Sequence, residues 1–259
     1  MEVGINTRLM KKNFFNYGVS SQDLFFDYNI MKYALKFENF RKNVRYAIIG
    51  LPYYGFHYDL SKSQNKNTIR TEIYYPILGT LHNYENKQNF INEYEIYRTL
   101  CGNILKSNYS RTTFNYTKEN YAKLVDGIYK KEFDSKNLSK IQKEELVKDI
   151  KKDFNKKYPL TVEENKKILI DYLELLKLNN IKPVILVCPV TKIYRDNCPV
   201  YFKEEFYNII NALKLNYDFQ FIDYFESEEF EDVYFYDTSH LNYKGAEKFT
   251  NILNNVIEW

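Results

Sequence analysis

The chain lacks paired cysteines, long apolar runs and a leader-like start, and each absence removes a class of protein. Its three cysteines, Cys101, Cys188 and Cys198, form no C-x-x-C pair and no Cys/His cluster with zinc-ligand spacing. An odd cysteine count in a chain of 259 residues argues against a disulfide framework and favours a reducing compartment. No run approaches the ~20 apolar residues of a membrane span, and Met1–Ile5 does not begin a signal peptide. The sequence therefore predicts a cytoplasmic protein without a membrane span.

A surplus of one charge is also lacking. The chain has 37 basic and 34 acidic residues, a net charge of +3. Nucleic-acid binding normally requires a clustered basic surplus, so no nucleic-acid partner is expected. No G-x-G-x-x-G, P-loop or H-E-x-x-H pattern occurs, and His57 and His82 have no carboxylate or cysteine at metal-ligand spacing. We therefore expect no cofactor and no metal, and interpret both histidines as structural or solvent-exposed; the oligomeric state stays open.

What the chain does have is an alternation of apolar runs and helical periodicity. Three runs of strand character cover residues 44–51, 183–188 and 219–224, and two of them end at Pro52 and Pro189. A further short strand is predicted at 14–17. Helices are predicted at about 22–37, 161–180, 201–214 and 245–257. This order predicts an α/β fold with a parallel sheet in a single domain, 1–259.

Local capping patterns set the expected helix ends. Ser20 or Ser21 is expected to cap the first helix, and Thr161 with Glu164 resembles a capping box. The closing helix is expected to bury one face, formed by Ala246, Phe249, Ile252, Leu253 and Val256.

The middle of the chain, residues 61–160, has a different character. It is polar, with helical periodicity at about 90–105 and 141–154. We interpret it as a mostly helical insertion or cap over the sheet.

The segment from Asp237 to His240 has the composition of a catalytic acid/base pair. A carboxylate three residues before a histidine can hold one ring nitrogen and leave the other free to accept a proton from a nucleophile. Loops at the carboxyl edge of a parallel sheet are where ligands of such folds bind. The alternative is a surface Asp and His beside a helix whose cap is Asn242.

The run Asp237–Ala246, D-T-S-H-L-N-Y-K-G-A, resembles the last sequence block of the SGNH/GDSL hydrolases, D-x-x-H-L-N-x-x-G. Residues 16–20 (N-Y-G-V-S) are similar to that family's oxyanion block. Residues 21–28 (S-Q-D-L-F-F-D-Y) and 53–61 (Y-Y-G-F-H-Y-D-L-S) resemble a bacterial branch of it. The resemblance covers about the first 60 and the last 100 residues.

The resemblance implies a three-layer, flavodoxin-like fold and an esterase or O-acyltransferase acting on an acylated glycan or metabolite. His240 would be the base, Asp237 the residue that orients it, and Gly18 an oxyanion donor. The family's nucleophilic serine belongs to a strand and turn that should precede Gly4, so we expect the nucleophile upstream of this sequence. Ser20, in the G-x-S run 18–20, is the alternative nucleophile, although a serine there is also an ordinary helix cap.

A second departure concerns the loop after residue 50. The family's oxyanion asparagine is replaced there by Tyr53 and Tyr54, which become candidate substrate contacts together with Arg195 in the loop after Pro189. Because the serine block is missing, the alternative function is a non-catalytic binding or assembly protein with the same fold.

Overall fold

A computed structural model describes residues 4–18, 21–63, 70–101, 130–155 and 159–259. Its sheet has three parallel strands in the order β1-β2-β3. The strands are β1 (Tyr46–Gly50), β2 (Lys182–Val187) and β3 (Gln220–Asp223). Ile48 pairs with Val184, which in turn pairs with Gln220. The three predicted apolar runs are thus confirmed as strands of one parallel sheet.

Helices surround the sheet. The α-helices are α1 (Leu24–Ala34), α2 (Glu38–Asn43), α3 (Arg70–Leu78), α4 (Lys87–Cys101), α5 (Lys140–Phe154), α6 (Pro159–Leu178), α7 (Lys192–Asp196), α8 (Val200–Lys214) and α9 (Tyr243–Val256). Single turns of 3-10 helix cover Thr7–Leu9, Gly55–His57, Leu60–Lys62 and Asp232–Tyr234. The architecture is α/β.

Side chains alternate across the strands, so the sheet buries two different cores. On one face, Ile49 and Ile185 belong to a cluster that includes apolar residues of α1, α5, α6 and α8. On the other face, Ile48, Val184 and Leu186 pack with residues of α9 and of the N-terminal segment. A strand that buries both faces reads as a continuous apolar run, and this is the pattern of β2.

The predicted helical insertion, 61–160, is helical at α3, α4 and α5 within its described residues. Its last part also belongs to the core. Ile150 and Phe154 of α5 are buried in the same cluster as Leu169 of α6.

The prediction of a strand at 14–17 is wrong. Phe14 packs against the core beneath α9 and Phe15 is 58% exposed, but neither lies in a strand. Hydrogen bonds to the last helix hold the preceding segment. The backbone N–H of Asn6 donates to Oγ1 of Thr250 at 2.8 Å, and that of Lys11 donates to Oδ1 of Asn254 at 2.8 Å.

The expected helix caps also differ from those in the structure. Asp23 caps α1 by accepting the N–H of Phe26 at 3.0 Å, and Ser21, with φ of 63°, lies outside the helix. Because α6 already begins at Pro159, Thr161 lies within its first turn and is not a cap.

A capping box does form at the start of α5, between Ser139 and Gln142. On α9, Ala246, Phe249 and Leu253 are buried as expected, Ile252 is partly buried and Val256 is exposed. Among the described helices, none combines the length and apolar character that crossing a membrane requires.

Candidate active site

The loop that carries Asp237 and His240 lies between β3 and α9, as predicted. It is closed by backbone contacts: the N–H of Tyr236 donates to the carbonyl of His240 at 2.7 Å, and Phe235 and Leu241 form an antiparallel bridge. Residues 235–241 therefore form a closed turn within this loop, which we call the dyad turn.

Asp237 and His240 form a dyad in this turn. Nδ1 of His240 lies 2.9 Å from each carboxylate oxygen of Asp237. Oδ1 of Asp237 also accepts the backbone N–H groups of Ser239 and His240, both at 2.9 Å. These contacts place the shared proton on Nδ1, so Nε2 is the nitrogen that can accept another.

The dyad is open to solvent. The side chain of His240 is 59% exposed and that of Asp237 is 43% exposed. Within the described part of the chain, Nε2 of His240 has no hydrogen-bond partner. Ser239 has its hydroxyl 3.3 Å from Nδ1, which is the wrong nitrogen for a nucleophile that needs the free base.

The electrostatics of the dyad favour an ionised carboxylate. Partial burial raises the pKa of Asp237, but the hydrogen bond and charge of His240 and the two backbone N–H donors outweigh it, so the pKa is lowered overall. A carboxylate that stays charged can stabilise the imidazolium formed when His240 takes up a proton.

Asn242 fixes the end of the turn. It is fully buried and caps α9, with Oδ1 accepting the N–H of Gly245 at 3.0 Å. Its Nδ2 lies 2.7 Å from the carbonyl oxygen of Val233, with those of Phe235 and Lys131 at 3.2 and 3.3 Å. The helix cap that the alternative interpretation assigned to Asn242 is therefore present.

Gly245 allows α9 to approach the Asp232–Tyr234 turn closely. A Cβ at this position would lie 2.1 Å from the carbonyl oxygen of Tyr234 and 2.8 Å from Cδ2 of Leu241. A side chain at position 245 would collide with this carbonyl oxygen. The glycine three residues after Asn242 therefore has a local steric reason.

The loop after β2 is tied to the dyad turn. The N–H and hydroxyl of Thr191 both donate to the carbonyl oxygen of Thr238, at 3.1 and 2.8 Å. Thr191 is fully buried and also caps α7. Arg195, which was expected in a loop, lies in α7 and donates to the carbonyl oxygen of Ser227 in the loop after β3.

The proposed oxyanion donor is engaged elsewhere. The N–H of Gly18 donates to Oδ1 of Asn16 at 2.8 Å, and no hydrogen bond between described residues joins Gly18 to the dyad. Ser20, the alternative nucleophile, lies outside the described residues.

The two tyrosines expected at a substrate loop have different surroundings. Tyr53 is only 2% exposed, donates to Oδ2 of Asp223 at 2.8 Å and stacks on Phe225 at 4.3 Å. Tyr53 is therefore packed in the core. Tyr54 is partly buried, with its ring 6.1 Å from that of Phe154.

His57 and His82 do have carboxylate partners, which their sequence neighbours gave no reason to expect. Nε2 of His57 contacts Glu205. Nε2 of His82 lies 3.1 Å from Oε1 of Glu164, and its Nδ1 lies 3.3 Å from Oδ1 of Asp59. These carboxylates come from distant segments, so spacing along the sequence could not reveal them.

Comparison of the chain with protein-family models, with curated proteins and with solved structures finds no match.

Proposed function

We propose that Asp237 and His240 are the acid/base pair of an SGNH-type serine esterase or O-acyltransferase whose substrate is an acyl ester of a small molecule or glycan. The observation that carries this proposal is the position of the imidazole. Its Nδ1 is held by both oxygens of Asp237 while Nε2 is exposed and unpartnered within the described residues. The resemblance of residues 237–246 to the last SGNH/GDSL block supports the same assignment.

In this proposal Nε2 of His240 takes the proton of a serine hydroxyl as its oxygen attacks the ester carbonyl. The tetrahedral intermediate collapses, the ester C–O bond breaks, and the imidazolium returns the proton to the leaving alcohol. Water, or an acceptor alcohol in a transferase, then releases the acyl group by the same steps in reverse order. Asp237 keeps Nδ1 protonated and stabilises the imidazolium throughout.

Ser20, in the G-x-S run 18–20, is the candidate nucleophile within this sequence. Labelling of the full chain with a fluorophosphonate, followed by peptide mass spectrometry, identifies it. The rate of p-nitrophenyl acetate hydrolysis measures the contribution of His240 as the base. We expect His240→Ala and Asp237→Asn each to reduce the rate by roughly 10²–10⁴-fold, the contribution typical of a positioned general base.

Ser239→Ala is the matched control, because its hydroxyl lies in the same turn but beside Nδ1. It should stay within about twofold of the wild type, since it removes no group near Nε2. Wild-type hydrolysis that survives His240→Ala would contradict the assignment of the base.

A non-catalytic binding protein is the second candidate. Two observations favour it. The N–H of Gly18 donates to Asn16, and Nε2 of His240 contacts no nucleophile among the described residues. It predicts no labelling and no hydrolysis, together with a change in the His240 NMR signals on addition of an acetylated oligosaccharide. Hydrolysis that depends on His240 excludes this candidate.

A further inference from the structure

A second group of potentially reactive side chains is buried away from solvent. Asp23 precedes α1, Asp59 precedes the turn Leu60–Lys62, and His82 lies in the connection between α3 and α4. Asp23 and Asp59 are 4% and 3% exposed, and the side chain of His82 is 6% exposed. One ligand atom from each residue lies within 4.8 Å of the other two. We call these three residues the buried cluster.

Carboxyl groups outnumber basic side chains at the cluster. Glu164 adds a third carboxylate through its contact with His82, whereas the lysine at the cluster is Lys62, whose Nζ lies 3.2 Å from Oδ2 of Asp59. Buried carboxylates are costly unless a positive charge compensates them. A cation bound within the cluster would supply that compensation.

The hydrogen bonds around His82 indicate where such a cation would bind. The two amide hydrogens of Asn83 are taken by Oδ2 of Asp59 and Oε2 of Glu164, each 3.0 Å from Nδ2. Asn83 therefore has no hydrogen left for Nε2 of His82, 3.2 Å away. Nε2 then carries the imidazole proton and donates it to Glu164 at 3.1 Å.

On the neutral ring, Nδ1 of His82 is left with an unused lone pair. It is buried, has no hydrogen-bond partner among the described residues, and faces Oδ1 of Asp59 at 3.3 Å. A nitrogen lone pair and a carboxylate oxygen repel each other at this distance, so a positive charge is required between them. Burial lowers the pKa of His82, but the hydrogen bond and charge of Asp59 and the charges of Asp23 and Glu164 raise it overall. A metal cation would take the place of the Nδ1 proton that these carboxylates favour. The ring cannot easily turn away, because it stacks on Phe25 with centroids 3.8 Å apart and planes 9° apart.

We propose that Asp23, Asp59 and Nδ1 of His82 bind one divalent transition-metal cation. Imidazole with carboxylate ligands suits Zn²⁺ or Mn²⁺ better than Ca²⁺ or Mg²⁺, which prefer oxygen alone. Glu164 completes the arrangement, because a metal-bound histidine usually donates its other N–H to a carboxylate.

Asp23 retains capacity for the cation. Its two oxygens accept one backbone N–H each, from Phe26 at 3.0 Å and from Leu60 at 2.7 Å, and a carboxylate offers about four acceptor positions. Without a cation, burial raises the pKa of Asp23 to about 7, against the backbone hydrogen bonds that lower it. The bound metal would join the start of α1, the Leu60–Lys62 turn and the residues before α4, so its role is structural.

The three histidines of the chain allow a complete set of test variants. The full chain, treated with EDTA and then dialysed free of it, is titrated with Zn²⁺ by calorimetry, and its melting temperature is measured with and without Zn²⁺. We expect one bound equivalent and a melting temperature raised by several degrees in the wild type and in His57→Gln. His82→Gln should abolish both effects, and Glu164→Gln should weaken binding by roughly 10–100-fold.

His240→Ala separates this site from the exposed dyad and should leave the tight equivalent unchanged. If His82→Gln does not fold, histidine ¹⁵N NMR of the wild type replaces it, with one buried imidazole expected to shift its Nδ1 signal on addition of Zn²⁺. Two results overturn the proposal. One is a wild type that binds neither Zn²⁺ nor Mn²⁺, and the other is unchanged binding in His82→Gln.

Discussion

Replacement of Gly245 by alanine tests whether the fold around Asp237 and His240 depends on close packing of α9 against the Asp232–Tyr234 turn. In an ordinary helix this change stabilises by about 0.5–1 kcal/mol. Here the new Cβ would lie 2.1 Å from the carbonyl oxygen of Tyr234, where ordinary contact begins near 3.4 Å. Because the obstacle is backbone, α9 and the Asp232–Tyr234 turn must separate.

The magnitude follows from what the separation disrupts. Overpacking of this kind costs about 1–3 kcal/mol. The hydrogen bond from the N–H of Asn242 to the carbonyl oxygen of Tyr234, 3.0 Å long, would lengthen, and each lost hydrogen bond costs a further 0.5–1.5 kcal/mol or so. After the helix gain is subtracted, we expect Gly245→Ala to lower the free energy of unfolding by about 2–3 kcal/mol.

Urea unfolding of the full chain, followed by circular dichroism, measures this loss, which corresponds to a melting temperature roughly 5–10 °C lower. Glu247→Ala, on the exposed face of the same helix, is the control and should change stability by less than about 0.5 kcal/mol. A Gly245→Ala protein as stable as the wild type would refute the steric argument.

Three further substitutions test buried polar groups. Asn242→Ala removes a helix cap and leaves buried carbonyl oxygens without a hydrogen-bond donor. It should lower the free energy of unfolding, measured in urea, by about 2–4 kcal/mol. Burial raises the pKa of Asp27 to about 6, so its contribution should lower wild-type stability by at most about 3 kcal/mol between pH 4 and pH 6, and urea unfolding should show that Asp27→Asn reduces the pH slope. Tyr53→Phe loses one hydrogen bond to Asp223 and should cost about 1–2 kcal/mol in urea unfolding, with KM for any hydrolysed ester unchanged.

Each of these has a result that contradicts it. An Asn242→Ala protein as stable as the wild type would show that neither the cap nor these donated hydrogen bonds are important. The sign for Asp27 is fixed by its raised pKa: the folded state holds a proton that the unfolded state releases above about pH 4. A pH slope that is unchanged in Asp27→Asn would show that Asp27 is ionised in the fold. A changed KM in Tyr53→Phe would return that residue to the substrate site.

The strands could be predicted because the local pattern is sufficient for them. Residues 44–51, 183–188 and 219–224 were expected, and the strands run from Tyr46 to Gly50, Lys182 to Val187 and Gln220 to Asp223. Apolar runs that end at proline or at a polar turn give a boundary within one or two residues.

The N-terminal segment could not be predicted in this way, because distant residues determine its conformation. Asn6 and Lys11 bond to side chains of α9, which begins more than two hundred residues later. Their partners Thr250 and Asn254 carry no local mark of that role. Residues 14–17 therefore have the apolar pattern of a strand but do not form one.

The same distinction applies to the sites. Asp237 and His240 lie within one turn, so their pairing was visible in the sequence, as was the cap formed by Asn242. Asp23, Asp59 and His82 come from three separate segments, so only the fold brings them together.

The sheet order has a consequence for synthesis of the chain. β1 pairs with β2, but about 130 residues separate them, and at 5–20 residues per second the ribosome needs roughly 7–26 s to make that stretch. The apolar residues Ile48 and Ile49 have no strand partner in this sheet until β2 emerges. β2 and β3 are much closer in sequence and pair soon after one another. Aggregation of nascent or freshly diluted protein should therefore begin at β1, where a chaperone that holds extended apolar segments would act.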